Sequence, residues 1–433
     1  MPDGTPDEQV GPDKHVGERG GWGFIGILTA LTALGHFASA IYLPSLPALA
    51  EALQASPAAA HATLSVFLLG FAAAQLAYGP LSDQFGRRRV LFWGLAVFVL
   101  ASVACALAPD IETLIAARLA QGMGACAGMV IARAIARDCY SGKALSVAMA
   151  TIATAIAVVP GFVPLLGGVL QDGLGWRAAF VATAAVGLAV AMVAYFRLPE
   201  SNKASTSGTV SMSRMSRDYG DVLRSSVFRR NAVTMAFGMA AMFAFNAASP
   251  ALFIERLGTS ATEYGIYPTI TVAGYFLGAA AAARLVRRIA ETKLILVGTL
   301  IMALGTGLML LLPIIGQLSV WGMVAAMFVF VGGLGIVMPL GSAAALQPFR
   351  HCAGTASAVL GFVQMGGAAA GSAIVGLVPG LGDTSLGATM AMFSLAAIVW
   401  YWRPLGALRA APNVGPASER SGDGLHVLQQ TRR

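Results

Sequence analysis

Charge is what this 433-residue sequence has least of: 11% of its residues are Asp, Glu, Lys or Arg, against about 25% in a soluble domain. With 28 basic and 20 acidic residues it cannot wet the surface of a soluble globule of 44.4 kDa. Cysteine is scarce too. Cys105, Cys126, Cys139 and Cys352 are the only four, without CxxC spacing, so neither a disulfide framework nor a metal site is implied. What fills the chain instead is apolar: 57% hydrophobic residues and a mean hydropathy of +0.73. That composition excludes disorder and collagen, and points to a polytopic membrane protein.

A helix crossing the hydrocarbon core needs about 20 apolar residues, and it satisfies its backbone hydrogen bonds internally. Such stretches predict twelve helices, near 22–48, 58–79, 90–108, 113–136, 144–170, 176–197, 229–254, 265–283, 294–312, 318–346, 353–378 and 385–403. The segment before the first is acidic, with Asp3, Asp7, Glu8, Asp13 and Glu18, and the stretch is too long for a signal peptide. It is read as a helix.

Lys and Arg concentrate in cytoplasmic loops. With the N-terminus inside, 24 of the 28 basic residues fall on the inner side, among them Lys14, Arg19, Arg87 to Arg89, Arg137, Lys143 and the run from Arg197 to Arg230. Only Arg177 and Arg256 fall outside, and Arg118 and Arg133 lie within the fourth stretch. Both termini are expected inside. The net charge of +8 is therefore a topology signal, and no nucleic-acid partner is expected. The longest polar interruption suggests five parts: a cytoplasmic tail over 1–21, a six-helix bundle over 22–197, a cytoplasmic linker over 198–228, a second six-helix bundle over 229–404 and a disordered tail over 405–433.

Between the second and third stretches stands Gly79-Pro80-Leu81-Ser82-Asp83-Gln84-Phe85-Gly86-Arg87-Arg88-Arg89. It reads as a tight turn, with Gly79 for close helix approach, Gly86 for a conformation closed to other residues, and Asp83 as a partner for the arginines or a helix cap. The string resembles the signature loop of the major facilitator superfamily. Arg118-Leu119-Ala120-Gln121-Gly122-Met123-Gly124 is similar to a second family signature, in the fourth helix. Pro160-Gly161-Phe162-Val163-Pro164-Leu165-Leu166-Gly167-Gly168, followed by Gly175-Trp176-Arg177, resembles the fifth-helix motif of antiporters. Ala353-Gly354-Thr355-Ala356-Ser357-Ala358 with Gln364, and Tyr42-Leu43-Pro44-Ser45-Leu46-Pro47, resemble the Bcr/CflA group of drug–proton antiporters. The resemblance implies the twelve-helix fold of two six-helix bundles and a multi-pass protein of the inner membrane. It also implies a conformational switch at Gly79, Asp83, Gly86, Arg87 and Arg88, and an antiporter motif at Pro160, Gly161, Pro164, Gly167 and Gly168.

Arg118 lies about two turns inside the outer boundary, where an arginine costs roughly 2.5–3.5 kcal/mol on translocon scales. It must face the bundle interior or a wet cavity. The resemblance puts it near substrate and proton sites; the alternative is a structural arginine bonded to carbonyls of the first or fifth helix. Gln121 shares its face, and Arg133 is near enough to the boundary to snorkel. Pro160 and Pro164 are expected to kink the fifth helix, and Gly161, Gly167 and Gly168 to permit close packing.

Bcr/CflA relatives commonly carry an embedded Asp two places before the Tyr-Leu-Pro; here that place is Ala40. No acid falls within a predicted hydrophobic core, Asp138, Glu112 and Glu255 standing at helix ends. His36 reads as the only histidine within a span, and its ordinary pKa near 6.5 suits proton uptake and release; Asp83 and Asp138 are alternative couplers. Tyr42, Asn246 and Gln364 complete the expected substrate and proton pathway. In the second half Ala283 stands where Asp83 would, so the turn motif has decayed there.

Gly142-Lys143 is followed by Ala144, and Arg137 occupies the first glycine's place, so no phosphate-binding loop exists. A membrane enzyme wants clustered His, Asp and Glu, and a channel wants repeated polar faces. Neither pattern appears. The reading is a proton-coupled exporter of amphipathic small molecules, drugs or metabolites, needing no cofactor beyond the proton gradient and acting as a monomer in the bilayer. A symporter importing a metabolite is the alternative.

Overall fold

The computed structural model describes residues 21–201, 212–376 and 384–403. Among them the chain is all-α, with twelve helices long and apolar enough to cross a membrane. The tails expected over 1–20 and 405–433, with Lys14, Arg19 and every arginine after Arg403, lie outside the described residues. So do linker residues 202–211 and the last two residues expected in the eleventh helix.

The helices are α1 (Trp22–Ala40), α2 (Leu46–Ala52), α3 (Pro57–Phe85), α4 (Arg87–Leu107), α5 (Ile111–Cys139), α6 (Gly142–Leu174) and α7 (Arg177–Arg197). After them come α8 (Met212–Arg224), α9 (Ser226–Pro250), α10 (Ala261–Leu285), α11 (Glu291–Ile314), α12 (Val320–Leu346), α13 (Ala353–Gly376) and α14 (Ser385–Trp402). Short polar caps start several of them. Ser56 accepts from Ala59 N at 3.2 Å with Pro57 in the first turn, and Ser260 and Glu263 form a reciprocal capping box on α10. Asp110 caps α5, accepting from Thr113 N at 2.7 Å, and the hydrogen bonds from Thr113 hold its carboxyl below the ordinary carboxylate value.

Several expected boundaries move, and the second span, expected to end at 79, runs on as helix to Phe85. The first span breaks at Ala40 into a 3-10 turn, Leu43–Ser45, and then α2. Pro44 and Pro47 have no N–H to donate and take the first turns of those two pieces. The third span starts at Arg87 rather than 90, because Gly86 ends α3 at φ 95° and the three arginines form the first turn of α4. The polar interruption between the halves contains a helix, α8, whose apolar residues Met212, Met215, Tyr219, Val222 and Leu223 recur at helical spacing within a stretch read only for its polarity.

The packing carries an internal repeat that the sequence shows only faintly. In the first half α5 packs on α3, α4 and α1, α4 on α7, and α1 on α6. In the second half α12 packs on α10, α11 and α9, α11 on α14, and α9 on α13, the same neighbours shifted by six spans. Small residues set these distances: a Cβ at Gly122 would collide with the Phe67 carbonyl, and one at Gly128 with that of Leu31. The two halves meet along α3 with α13 and α6 with α10. Helix α8 lies across the junction, its Tyr219 hydroxyl donating to the Leu76 carbonyl of α3 at 3.1 Å while the helix packs on α9 and α13. Burial, with Asp218 and Asp221 of α8 nearby, pushes the Cys352 thiol pKa up.

Candidate functional site

The largest fully buried side chain is Arg118, on α5. Its guanidinium carbon lies 4.2 Å from the centroid of Tyr42 and 4.3 Å from that of Phe67, so the cation is held between two ring faces. Nε donates to the Thr63 carbonyl at 3.3 Å, and Nη1 donates to the Ala38 carbonyl at 3.2 Å and to Gln121 Oε1 at 2.5 Å. Gln121 Nε2 donates to Ser102 Oγ at 2.8 Å, and Ser102 donates to the Phe98 carbonyl at 2.6 Å. Tyr42 Oη and Thr63 Oγ1 are 3.3 Å apart. Nη2 is buried without a hydrogen-bond partner.

Tyr42, Arg118 and Gln121 are thus brought together as one cluster. Of the carbonyls that hold the arginine, that of Ala38 belongs to the first span, as the structural alternative had it, and that of Thr63 to the second rather than the fifth. Phe67, Thr63 and Ser102 were missed. The i, i+4 spacing of Thr63 and Phe67 on a helix facing Arg118 was the available signal; a carbonyl partner leaves none.

His36 is half-buried on α1, and its Nδ1 is buried without a partner. It is not the only histidine within a span. His61 lies in the second turn of α3, also half-buried with Nδ1 unpartnered. It falls inside the span expected over 58–79, where it was overlooked. Ala40 is buried. Asn246 is half-buried on α9, and Gln364 on α13 donates to Met235 Sδ at 3.4 Å, so both belong to the second half.

At the α3–α4 turn Asp83 pairs with Arg87, whose Nε donates to Asp138 Oδ2 at 3.1 Å and whose Nη1 donates to Ser82 Oγ at 2.7 Å. Glu200, just past α7, accepts from the backbone N–H groups of Arg87 and Arg88, both at 3.0 Å. Its carboxylate therefore caps α4 and offsets the cost of opening a helix with three arginines. Ser201 donates to Asp138 at 3.1 Å. Arg88 Nη2 donates to the Tyr195 carbonyl at 2.8 Å. Gly79 does not mediate close approach: a Cβ there would meet no atom within 4 Å. The tight contact belongs to Gly94, where a Cβ would strike Ala127.

The halves meet closely at the opposite end of the molecule, and again nearer the Gly86 end, where a Cβ at Gly361 would collide with Gln75 Oε1. Asp172 Oδ2 accepts from Thr262 N at 3.0 Å and from Thr262 Oγ1 at 2.6 Å, tying the end of α6 to the start of α10. A Cβ at Gly168 would collide with the Ala261 carbonyl, and one at Gly167 with that of Ile41. Gly265 meets the backbone of Pro164 and Leu165, and Thr269 Oγ1 donates to the Gly161 carbonyl at 2.7 Å. Helix α6 runs as one helix through Pro160 and Pro164. On the α3–α13 side, Ser372 Oγ donates to the His61 carbonyl at 3.5 Å, and a Cβ at Gly376 would stand 3.1 Å from His61 Nδ1.

Among the described residues no group of three or more His, Cys, Asp or Glu could hold a metal ion. A family model described as Major Facilitator Superfamily matches residues 28–372. The chain belongs to the major facilitator superfamily. It is 31% identical over 382 residues to Multidrug resistance protein D of Escherichia coli (strain K12), covering 88% of this chain and 94% of the relative. It is 30% identical over 327 residues to Multidrug resistance protein MdtL of Escherichia coli O9:H4 (strain HS), covering 76% and 81%. Among solved structures it is similar to a D-xylose-proton symporter, with TM-score 0.71, 15% identity and coverage of 88% and 96%. A bacterial homolog of the human lysosomal transporter Spinster, inward-facing, gives TM-score 0.68, 17% identity and coverage of 92% and 98%. At such identities the two structures speak for the fold alone. The protein is a facilitator-superfamily transporter, a multi-pass protein of the inner membrane and not an enzyme.

Proposed function

We propose that this transporter exports amphipathic small molecules, drugs or metabolites, in exchange for protons, as a Bcr/CflA-type antiporter. The observation that carries the reading is the pair of crossed seams between repeated halves, α3 with α13 and α6 with α10, locked at one end by small residues and Asp172. Two bundles hinged on such seams suit alternating access. The relatives named multidrug resistance proteins supply the cargo class.

Residues 22–197 and 229–404 act as the two rocking units, and both termini face the cytoplasm. The Gly86 turn is then inside and the Asp172 seal outside, which makes the described state inward-facing. The Asp83–Arg87–Asp138 cluster is the switch that must rearrange when the inner end closes. His36 and the Arg118 cluster with Tyr42 and Gln121 serve the proton and substrate pathway, with Asn246 and Gln364 contributing from the second half. The acids in the described spans stand near helix ends, so a neutral or anionic cargo suits this interior better than a strongly cationic one. The proton gradient is the energy source, each charge moved being worth about 2.3 kcal/mol per 100 mV. No cofactor is needed, and a monomer suffices.

Purified protein in liposomes with an imposed pH gradient tests this directly. Antiport moves a candidate drug against the proton flow; cargo moving with the protons would establish symport, and no gradient-dependent flux would end the proposal.

A further inference from the structure

At the end of the molecule that carries the Gly86 turn, a groove of about 1070 Å³ runs between α1 and α7. Phe24 and Ile27 line it from α1, Tyr195, Phe196 and Arg197 from the last turn of α7, and Arg88 from the first turn of α4. Its lining combines apolar side chains with two arginines. Tyr195 is 58% exposed and Trp22, at the start of α1, 74% exposed. Amphipathic aromatics at the ends of spans mark the depth of lipid headgroups.

Arg88 is fixed on the groove wall rather than swinging free. Its guanidinium carbon sits 5.1 Å from the Tyr195 ring centroid and 5.7 Å from that of Phe92, and one N–H donates to the Tyr195 carbonyl. That uses one of five guanidinium donors. Arg197 is exposed, and neither arginine takes part in a salt bridge among the described residues. Glu200 accepts from the Arg87 and Arg88 backbone N–H groups, so its single negative charge offsets part, but not all, of the charge of the two arginines.

We propose that this groove is a binding site for an anionic phospholipid. The phosphate engages Arg88 and Arg197, and one acyl chain lies along Phe24, Ile27 and Phe196. The two lining arginines are the argument for an anionic headgroup. Basic pockets between helices at a membrane surface select such headgroups over zwitterionic ones. Because Arg88 sits in the same turn as the Asp83–Arg87–Asp138 cluster, an occupied groove braces that turn against α7. The proposal does not depend on the direction of transport.

Native mass spectrometry of the full chain, delipidated and titrated with phosphatidylglycerol or phosphatidylcholine, reads the selectivity. Phosphatidylglycerol should be retained in preference, and Arg88→Gln with Arg197→Gln should remove the preference, each arginine weakening it about fivefold. Arg89→Gln, in the same turn but not lining the groove, should leave it intact, and an unchanged thermal melt excludes misfolding. Equal retention of the two lipids, or an unaltered preference in the double variant, overturns the proposal. The acidic segment before Gly21 is the competing occupant. If wild type retains neither lipid and deletion of residues 1–20 restores binding, the groove belongs to that segment and the lipid assignment fails.

Discussion

The Arg118 guanidinium lies 4.2 Å from the Tyr42 ring centroid and has no carboxylate in a salt bridge with it among the described residues. A full charge inside the bundle is balanced by ring quadrupoles, two backbone carbonyls and one amide oxygen. Such a site stabilises a cation diffusely, without a single counter-ion whose loss would unmask it.

Replacing Arg118 with Ala leaves the Ala38 and Thr63 carbonyls short of a donor and strips two rings of their cation. A desolvated cation–π contact contributes about 2 kcal/mol, so R118A should lower the thermal midpoint in detergent and abolish transport. R118K keeps the charge but not the flat stacking or the forked donors. It should melt closer to wild type and transport weakly; full activity in R118K would show that charge alone is what the site supplies.

Glu200→Gln should cost about 1 kcal/mol, the value of a helix cap, and Glu200→Ala somewhat more. By contrast, Asp83→Asn removes a pair whose acid is 52% exposed on its side chain, worth about 1 kcal/mol or less. Its effect should appear in transport rate rather than in the melt. Parallel melts and flux assays on the two variants separate cap from switch.

Much of the frame was legible in the sequence, because twelve apolar runs are written in it. Helix α6 was expected at 144–170 and spans Gly142–Leu174; the glycines marking its close contacts, Gly161, Gly167 and Gly168, were singled out correctly as packing positions. What stayed hidden were relations between distant positions. Glu200 caps a turn 113 residues earlier in the chain, and no local pattern joins the two. Gly79 carried a motif but meets nothing, while Gly94, without one, holds the close approach. His61, inside the span expected over 58–79, was overlooked because its contact with α13 is visible only in the fold.

Asp172→Ala removes both hydrogen bonds to Thr262, and Gly168→Val drives side-chain atoms into the Ala261 carbonyl. Both should loosen the seal. A cysteine placed at Thr262 in a cysteine-free background should react faster with a water-soluble maleimide in G168V, and an introduced cysteine at Asp172 serves as the matching probe on α6. Unchanged reactivity would mean that the halves part elsewhere.

His36 and His61 can be told apart by where they sit. His61 is at the surface where α3 and α13 must separate, whereas His36 lies on α1 within the first half. Protonation affects a conformational equilibrium only through a difference in proton affinity between states. His61→Gln should therefore flatten the pH dependence of seal opening, read by the same maleimide rates. His36→Gln should flatten the pH dependence of drug flux while leaving seal accessibility unchanged. A flux profile in H36Q indistinguishable from wild type removes His36 as the coupler.

Helix α8 joins the halves in sequence and also grips both of them, through Tyr219 on α3 and its packing against α9 and α13. It therefore works as a leash with a fixed slack. Separation of the two halves at that end can proceed only until α8 is pulled taut, and any wider gap requires the Tyr219 contact to let go. How far the halves can part at that end is set by a short helix between them in sequence.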